Sequence, residues 1–182
     1  MTHILILNLC SGILFQLYSD WYVQFKDLED HKYRYYFALF INGFLTCLFL
    51  STHHMPYLVL LIPVLYLAAY TDYRCGEIPD LSWILILFVV LLRQSFNWVS
   101  FSLTLLLTLG FAYVKWLGYG DVKLLSVWAL LRGEHIIYAL FFASFLALII
   151  YGLRHKQLKG AIRFAPYLCI GFLLAEHIPF LH

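Results

Sequence analysis

Two aspartates in this chain of 182 residues stand beside residues that suit acid–base chemistry. Asp72 closes a long apolar run, and Asp121 comes 49 residues later, directly after Gly118-Tyr119-Gly120. Two carboxylates within hydrogen-bonding reach cannot both ionise comfortably, so they share one proton. One can then take a proton from water while the other donates a proton to a carbonyl oxygen. A pair of this kind could hydrolyse an amide bond.

The residues around the two acids allow a functional and a structural interpretation. Gly118 and Gly120 let another chain approach closely, so an extended substrate backbone could lie beside Asp121. Alternatively, Asp121 could cap the helix that follows it, and Asp72 could be a solvated residue at the end of a span. For Asp80, which precedes the fourth apolar run, capping is the favoured interpretation.

The composition indicates the solvent in which these acids must be placed. Hydrophobic residues make up 63% of the chain and charged residues 12%, with a mean hydropathy of +0.83. Soluble domains carry about 25% charged residues, so this chain has too little polar surface for a soluble enzyme. A net charge of +2 without a dense basic stripe also argues against a nucleic-acid partner. The chain is predicted to contact membrane lipids over most of its surface.

The apolar runs predict an all-α, polytopic membrane protein with about eight transmembrane helices in one bundle. The predicted helices are 4–25, 35–51, 56–71, 81–98, 100–117, 122–132, 135–153 and 164–181. They form a single membrane domain over 1–182, in which two N-terminal helices with a short cytoplasmic loop (1–52) precede a six-helix core (56–182). The first span has no basic segment before it and no small-residue cleavage site after it, so we expect it to remain attached. Segment 122–132 is short for a crossing, so it could begin or end inside the protein.

The basic residues orient these spans. Eight crossings place ten of the twelve Lys and Arg residues on one side, which is therefore predicted to be cytoplasmic. The ten are Lys26, Lys32, Arg34, Arg74, Lys115, Lys123, Arg154, Lys156, Lys159 and Arg163. The same topology brings Asp72 and Asp121 to the cytoplasmic face at similar depth. Lys123 is expected to extend to the interface, or alternatively to bias the acid pair toward ionisation.

Three segments resemble motifs of the type IV prepilin peptidase family. Asp72 followed after five residues by Ile78-Pro79-Asp80 resembles the first motif, and Gly118-Tyr119-Gly120-Asp121-Val122-Lys123-Leu124 resembles the second, G-x-G-D-x-K-L. Phe164-Ala165-Pro166-Tyr167-Leu168 resembles a third, although Arg163 and Ala165 depart from it. The resemblance covers roughly 56–182 and implies that Asp72 and Asp121 are the catalytic pair of an aspartic endopeptidase. Its substrates would be prepilin or pseudopilin precursors, cut after a glycine at the cytoplasmic face of the bacterial inner membrane.

The cysteines predict a narrower activity than that of the larger family members. Those members carry paired Cys-x-x-Cys motifs in a cytoplasmic domain and also methylate the new pilin N-terminus. Here Cys10, Cys47, Cys75 and Cys169 are isolated, and the connection between the first two helices is short. The resemblance therefore implies cleavage without methylation, with no metal and no cofactor. His53-His54 has no third ligand in its loop, which argues against a metal site there.

Other functions stay open at this point. A presenilin-like intramembrane protease shares the G-x-G-D signature but places its second acid in a Tyr-Asp pair, whereas Thr71 precedes Asp72 here. A small transporter could form an ion site at a broken helix, although its site would be expected near the bilayer midplane. A noncatalytic scaffold of a pilus or secretion assembly would need neither acid. The particular pilin substrate and the oligomeric state are not specified by any motif.

Overall fold

A computed structural model describes residues 2–25, 34–51, 56–93, 96–154 and 163–177. These residues form eight α-helices and no strand, which confirms the all-α prediction for the part of the chain described. The helices are α1 (Thr2–Phe25), α2 (Arg34–Ser51), α3 (Pro56–Cys75), α4 (Asp80–Arg93), α5 (Trp98–Tyr113), α6 (Tyr119–Arg132), α7 (His135–Arg154) and α8 (Ala165–His177).

The helix boundaries correct the positions expected for the two aspartates. The charge pattern put Asp72 after the third helix and Asp121 before the sixth, but both lie within helices. Counting apolar residues stops at the first charge, whereas α3 continues until Gly76, whose φ of 71° ends it. A helix ends where its backbone geometry changes, and a glycine in the left-handed region is a common way to do so.

Helix-to-helix contacts divide the chain into one unit over 1–76 and a second over 77–182. In the first unit α1, α2 and α3 all pack against one another. Pro63 lies inside α3 and has no N–H, so the carbonyl of Val59 lacks its usual partner four residues on. Asn8 of α1 supplies one, since its Nδ2 donates to Val59 O at 2.7 Å and to Thr46 Oγ1 at 2.9 Å. The side chain of Asn8 thus links all three helices.

A second polar chain crosses the same unit. The Tyr66 hydroxyl donates to Gln16 Oε1 at 3.0 Å, and Gln16 Nε2 donates to Asp20 Oδ1 at 2.8 Å. Gln16 and Asp20 are buried, so these bonds satisfy groups that would be costly to leave unpaired. Polar bonds of this kind are a common way to join helices in an apolar medium.

In the second unit α6 is the central helix. All eight residues from Leu124 to Leu131 are buried, and α6 contacts α4, α5 and α7. A helix buried on every side is the core of its unit rather than an amphipathic cover. With 14 residues, α6 is about 21 Å long, against about 30 Å for the hydrocarbon core of a bilayer.

Small residues bring α7 and α8 close together. A Cβ added to Gly171 of α8 would lie 2.3 Å from the carbonyl oxygen of Ala139 and 2.9 Å from the backbone nitrogen of Ala143. Ala139, Ala143 and Ala147, each four residues from the next, are buried on the facing side of α7. Small residues at such spacing let two helix backbones approach and are typical of helix pairs in lipid.

Among the described residues, one helix segment is long and apolar enough to cross a membrane, His3–Gln24. Five shorter apolar segments occur in α2, α4, α5, α7 and α8. Several of the basic residues used for orientation, as well as His53-His54, lie outside the described residues. The polytopic arrangement and the single membrane domain therefore stay predictions.

Gly171→Ala is expected to destabilise the second unit. The new methyl group would overlap backbone atoms of α7, which cannot rotate away, so α7 and α8 must separate. Overpacking of this kind costs about 1–3 kcal/mol. Thermal unfolding of the purified protein in detergent measures the loss.

Gly110→Ala is the matched control, because it makes the same change within α5 and a Cβ at Gly110 meets nothing within 4 Å. Alanine is favoured over glycine inside a helix by about 1 kcal/mol, so this variant should be as stable as the parent or slightly more so. Equal melting temperatures for the two variants would contradict the close packing of α7 and α8.

Candidate active site

Asp72 lies in the last turn of α3 and is held by a regular helix end. The Gly76 N–H donates to the Asp72 carbonyl at 2.8 Å, which closes the helix four residues after the aspartate. The Asp72 side chain is only 7% exposed, and Thr71 beside it is fully buried. The interpretation of Asp72 as a solvated residue at the end of a span is therefore wrong. Burial of a carboxylate is more typical of a functional group than of a simple boundary residue.

Asp121 is the third residue of α6, and it is not the residue that caps the helix. Gly118 occupies the cap position with φ of −74° and ψ of 147°, and no side chain caps the helix there. Capping by Asp121 is thus excluded. The carboxylate nevertheless lies in the first turn, where the helix dipole favours negative charge. The side chain is partly exposed.

The two glycines of the second motif are required by space rather than by unusual backbone angles. Gly118 has an extended conformation open to any residue, but a Cβ there would lie 3.3 Å from Oδ2 of Asp121. A Cβ on Gly120 would lie 3.0 Å from Cβ of Ile78 and 3.3 Å from its Cγ1 and Cδ1. The expected close approach to Gly120 is thus made by the chain's own first motif. Gly118 leaves room for the Asp121 carboxylate.

The two motifs are joined a second time by an ion pair. Lys123 Nζ donates to Asp80 Oδ1 at 2.6 Å, and Trp83 Nε1 donates to the same oxygen at 2.8 Å. The ammonium group also lies 5.6 Å from the centre of the Trp83 ring. Asp80 was expected to precede α4 and cap it, but it is the first residue of α4, and its carboxylate accepts from these two side chains. Lys123, expected to extend to the interface or to act on the acid pair, is bound to Asp80.

Electrostatics keep this ion pair charged at neutral pH. The hydrogen bond from Lys123, and then that from Trp83, hold the pKa of Asp80 below its usual value of 3.8. Because the folded-state pKa is depressed, the pair is fully formed above that usual value and is lost only as the pH falls through the lower folded-state pKa. A modest fall in pH below neutrality therefore does not separate Asp80 from Lys123.

The structure gives a clear position to each of the predicted site residues. Ile78, Asp80, Gly118, Gly120, Asp121 and Lys123 belong to the second unit, where Ile78 meets Gly120 and Asp80 meets Lys123. Pro79 is buried and its carbonyl accepts from the Ser82 N–H at 3.0 Å, which forms the first turn of α4. Asp72 belongs to the first unit. The pairing of Asp72 with Asp121 stays a prediction.

A second polar cluster at the other end of α6 was missed by the sequence interpretation. Arg132 Nε donates to Glu176 Oε1 at 2.6 Å, and its Nη2 donates to Oε2, so the pair is bidentate. Both side chains are nearly inaccessible, at 7% and 2% exposed. An open cavity of about 680 Å³ adjoins Arg132 and is also lined by Asn97 and His135. The sequence does contain a signal for this cluster, because Glu176 is a lone acid in an apolar helix and such an acid needs a cationic partner.

Comparison of the chain with known protein families gives one match. A model described as the type IV leader peptidase family matches residues 59–153, slightly more than half of the chain. No curated protein and no solved structure matches the chain. The matched residues contain both aspartate motifs, while α1, α2 and the Phe164–Leu168 segment lie outside them.

The chain therefore belongs to the type IV leader peptidase family, which confirms the resemblance to prepilin peptidases. Membership makes it a peptidase, a class of hydrolase. Among the described residues no three His, Cys, Asp or Glu side chains form a group that could hold a metal ion.

Gly120→Ala is expected to push the first motif away from α6. The added methyl would touch the branched Cβ of Ile78, which has no freedom to move without its backbone. We expect a loss of about 1–3 kcal/mol in unfolding free energy and a lower cleavage rate. Gly43→Ala in α2 is the control, because its new methyl would meet only the flexible tip of Leu9 at 3.4 Å. Equal stability and activity of both variants would contradict this packing.

Arg132→Met should destabilise the protein strongly, because it leaves Glu176 buried without its cation. Breaking a buried pair in this way costs about 3–5 kcal/mol, whereas replacing both partners by apolar residues is often nearly neutral. The double variant Arg132→Met/Glu176→Leu should therefore be more stable than the single variant in thermal unfolding. This interpretation would be overturned if the double variant lost as much stability as the two single variants lose together.

Proposed function

We propose that this protein is a membrane aspartic endopeptidase that removes the leader peptide of type IV prepilins or pseudopilins. The observation that carries the proposal is the family match over both aspartate motifs. The buried Asp72 and the helix-terminal Asp121 support it, because each lies in a setting that an acid–base residue needs. The catalytic pair is proposed to be Asp72 and Asp121.

Chain length supports the pairing of these two acids. Ile78 contacts Gly120, directly before Asp121. Only five residues lie between Asp72 and Ile78, so the six steps of the chain from one to the other can span at most about 20 Å. The turn at Gly76 shortens this reach. A connection of this length is compatible with the proposed pairing, which needs to be complete only in the substrate complex.

The proposed reaction needs one ionised and one protonated carboxyl group. The ionised aspartate takes a proton from a water molecule, whose oxygen attacks the scissile carbonyl carbon. The protonated aspartate donates to the carbonyl oxygen, and a tetrahedral intermediate results. The aspartic acid that took the water proton gives it to the amide nitrogen, a hydroxyl of the intermediate returns a proton to the other aspartate, and the C–N bond breaks to release the amine and the carboxylic acid. The chain's own two carboxyl groups supply every proton transfer in this scheme.

The proposed location is the bacterial inner membrane, with several crossings and the acids at the cytoplasmic face. Ten of twelve basic residues fall on the predicted cytoplasmic side, and His3–Gln24 is long and apolar enough for one crossing. The substrate would be a precursor whose hydrophobic segment shares the bilayer, cut after a glycine at that face. Membrane lipids are the other proposed contact.

Cleavage without methylation is proposed from the cysteine pattern. The four cysteines do not form a Cys-x-x-Cys motif, and Cys75 and Cys169 lie on different helices. The resemblance associates such motifs with the members that also methylate. A mass spectrum of the mature pilin N-terminus tests this point, since a methylated product would overturn it.

Asp72→Asn and Asp121→Asn are each expected to abolish leader removal. Asparagine keeps the shape of the side chain but cannot hold or donate the shared proton, so the loss should reach at least about a hundredfold. The assay is coexpression with a prepilin, followed by the size of the product at matched protein levels. Processing that survives either substitution would refute the paired-acid mechanism.

Glu134→Gln is the matched control for these variants. It makes the same change of charge at an exposed acid in the turn after α6. Normal processing by this variant, with inactive Asp72→Asn and Asp121→Asn variants, would assign the effect to the two aspartates. Cleavage within the membrane helix of the substrate would instead favour a presenilin-like activity.

A further inference from the structure

We propose that Ile78, Asp80, Trp83 and Lys123 form a clamp that holds the start of α6 and thereby positions Asp121. This inference rests on the proposed function and names positioning residues for it. The clamp joins the first and second motifs at two points within the second unit. One is the contact of Ile78 with Gly120, and the other is the ion pair of Asp80 with Lys123.

The first contact is steric and leaves little freedom. Ile78 fits against Gly120 so closely that one added carbon would lie 3.0 Å from its Cβ. Because isoleucine is branched at Cβ, its side chain has few rotamers with which to move aside. The backbone of residue 120 is therefore held against the segment before α4. Asp121 is the next residue in the chain.

The second contact is polar and directional. Asp80 Oδ1 accepts from both Lys123 Nζ and Trp83 Nε1, at 2.6 and 2.8 Å. The Trp83 ring also faces the ammonium group at 5.6 Å, so Lys123 is held by a carboxylate and by an aromatic face together. Since Asp80 and Trp83 both belong to α4, the lysine ties α6 to that helix.

The helix geometry separates the clamp from the catalytic carboxylate. Gly120 and Lys123 are three residues apart and share one face of α6, which is the face toward Ile78 and Asp80. Asp121 and Lys123 are two residues apart and do not face each other. Lys123 therefore acts on Asp121 through the position of the helix and not as a neighbouring charge. The positions of Asp121 and Lys123 on α6 therefore argue against the alternative in which Lys123 acts directly on the acid pair.

The small energy of an exposed ion pair does not argue against this role. Asp80 and Lys123 are 65% and 48% exposed, and such pairs contribute little to global stability. Positioning is more sensitive than stability, because a displacement of about 1 Å at a reacting group can lower a rate about a hundredfold. Loss of the ion pair should therefore lower turnover more than melting temperature.

The test is a double-variant cycle on the purified protein with a purified prepilin. Asp80→Asn, Lys123→Met and the double variant should each lower kcat by about tenfold, to the same level, with KM within about twofold of the parent. Equal losses are expected because either change opens the same contact. Lys123→Arg, which keeps the ion pair, should retain most of the activity.

Two further measurements separate positioning from other roles. In each clamp variant the plot of kcat against pH should be lower than that of the parent at every pH, with its acid and alkaline limbs at the same pH values. The limbs should not move because the depressed pKa of Asp80 keeps this carboxylate ionised in the parent. Lys115→Met is the control, since it removes an exposed lysine from the loop before α6 and should leave kcat unchanged. Thermal unfolding in detergent excludes loss of the fold as the cause.

Each other outcome overturns the proposal. Clamp variants with the kcat of an active parent would show that the contact has no positioning role. Losses that multiply in the double variant would show that Asp80 and Lys123 act independently. A shifted pH limb for Lys123→Met alone would favour direct action on the acid pair. A parent protein that does not cleave prepilin at all would instead refute the proposed function itself.

Discussion

An apolar helical chain tolerates a carboxylate only where another polar group or a helix end meets it, and four of the described acids meet that constraint in a visible way. Asp20 accepts from a glutamine, Asp80 from a lysine and a tryptophan, and Glu176 from an arginine. Asp121 lies in the first turn of a helix, where the dipole favours its charge. Because each acid needs such a setting, the positions of the acids also show which helices must lie together.

The constraint explains why α6 has residues of such different kinds along its length. Its middle is buried on all sides and purely apolar apart from Ser126, whose hydroxyl donates to the Val122 carbonyl at 2.7 Å. Charge occurs only near the ends, at Asp121 and Lys123 on one side and Arg132 on the other. At these ends Lys123 meets Asp80 and Arg132 meets Glu176, so the buried middle of α6 contains no charged residue. The apolar middle then fixes the separation of the two polar ends.

Much of the fold could be predicted from the sequence, because it depends on local pattern. Apolar runs separated by charges, glycines and prolines predicted all eight helices in the order observed among the described residues. The ends were less accurate, since a run of apolar residues stops at Asp72 while the helix continues to Cys75. Where a helix ends depends on the positive φ of Gly76, which the hydrophobic pattern does not contain.

The motif residues could be recognised in the sequence, but the contacts between them could not. The motif residues Ile78, Asp80, Gly120 and Lys123 all stand out in the sequence, yet their pairing depends on how α4 packs against α6. Asp80 and Lys123 are 43 residues apart, and capping was a reasonable local interpretation for an aspartate before a helix. A long-range partner competes with a backbone cap for the same oxygen atoms. Here Oδ1 of Asp80 accepts from Lys123 of α6 and from Trp83 of α4.

The length of α6 links the two polar ends to the proposed membrane. A helix of 14 residues extends about 21 Å, so it is about 9 Å shorter than the hydrocarbon core. If Asp121 lies at the cytoplasmic boundary, Arg132 must lie below the opposite boundary, where an unpaired guanidinium would be costly. The bidentate pair with Glu176 meets that requirement with a side chain from α8. In the proposed orientation, the paired arginine at the far end of this short helix would let the Asp121 carboxylate at the near end stay at the membrane surface, where an extended substrate could reach it.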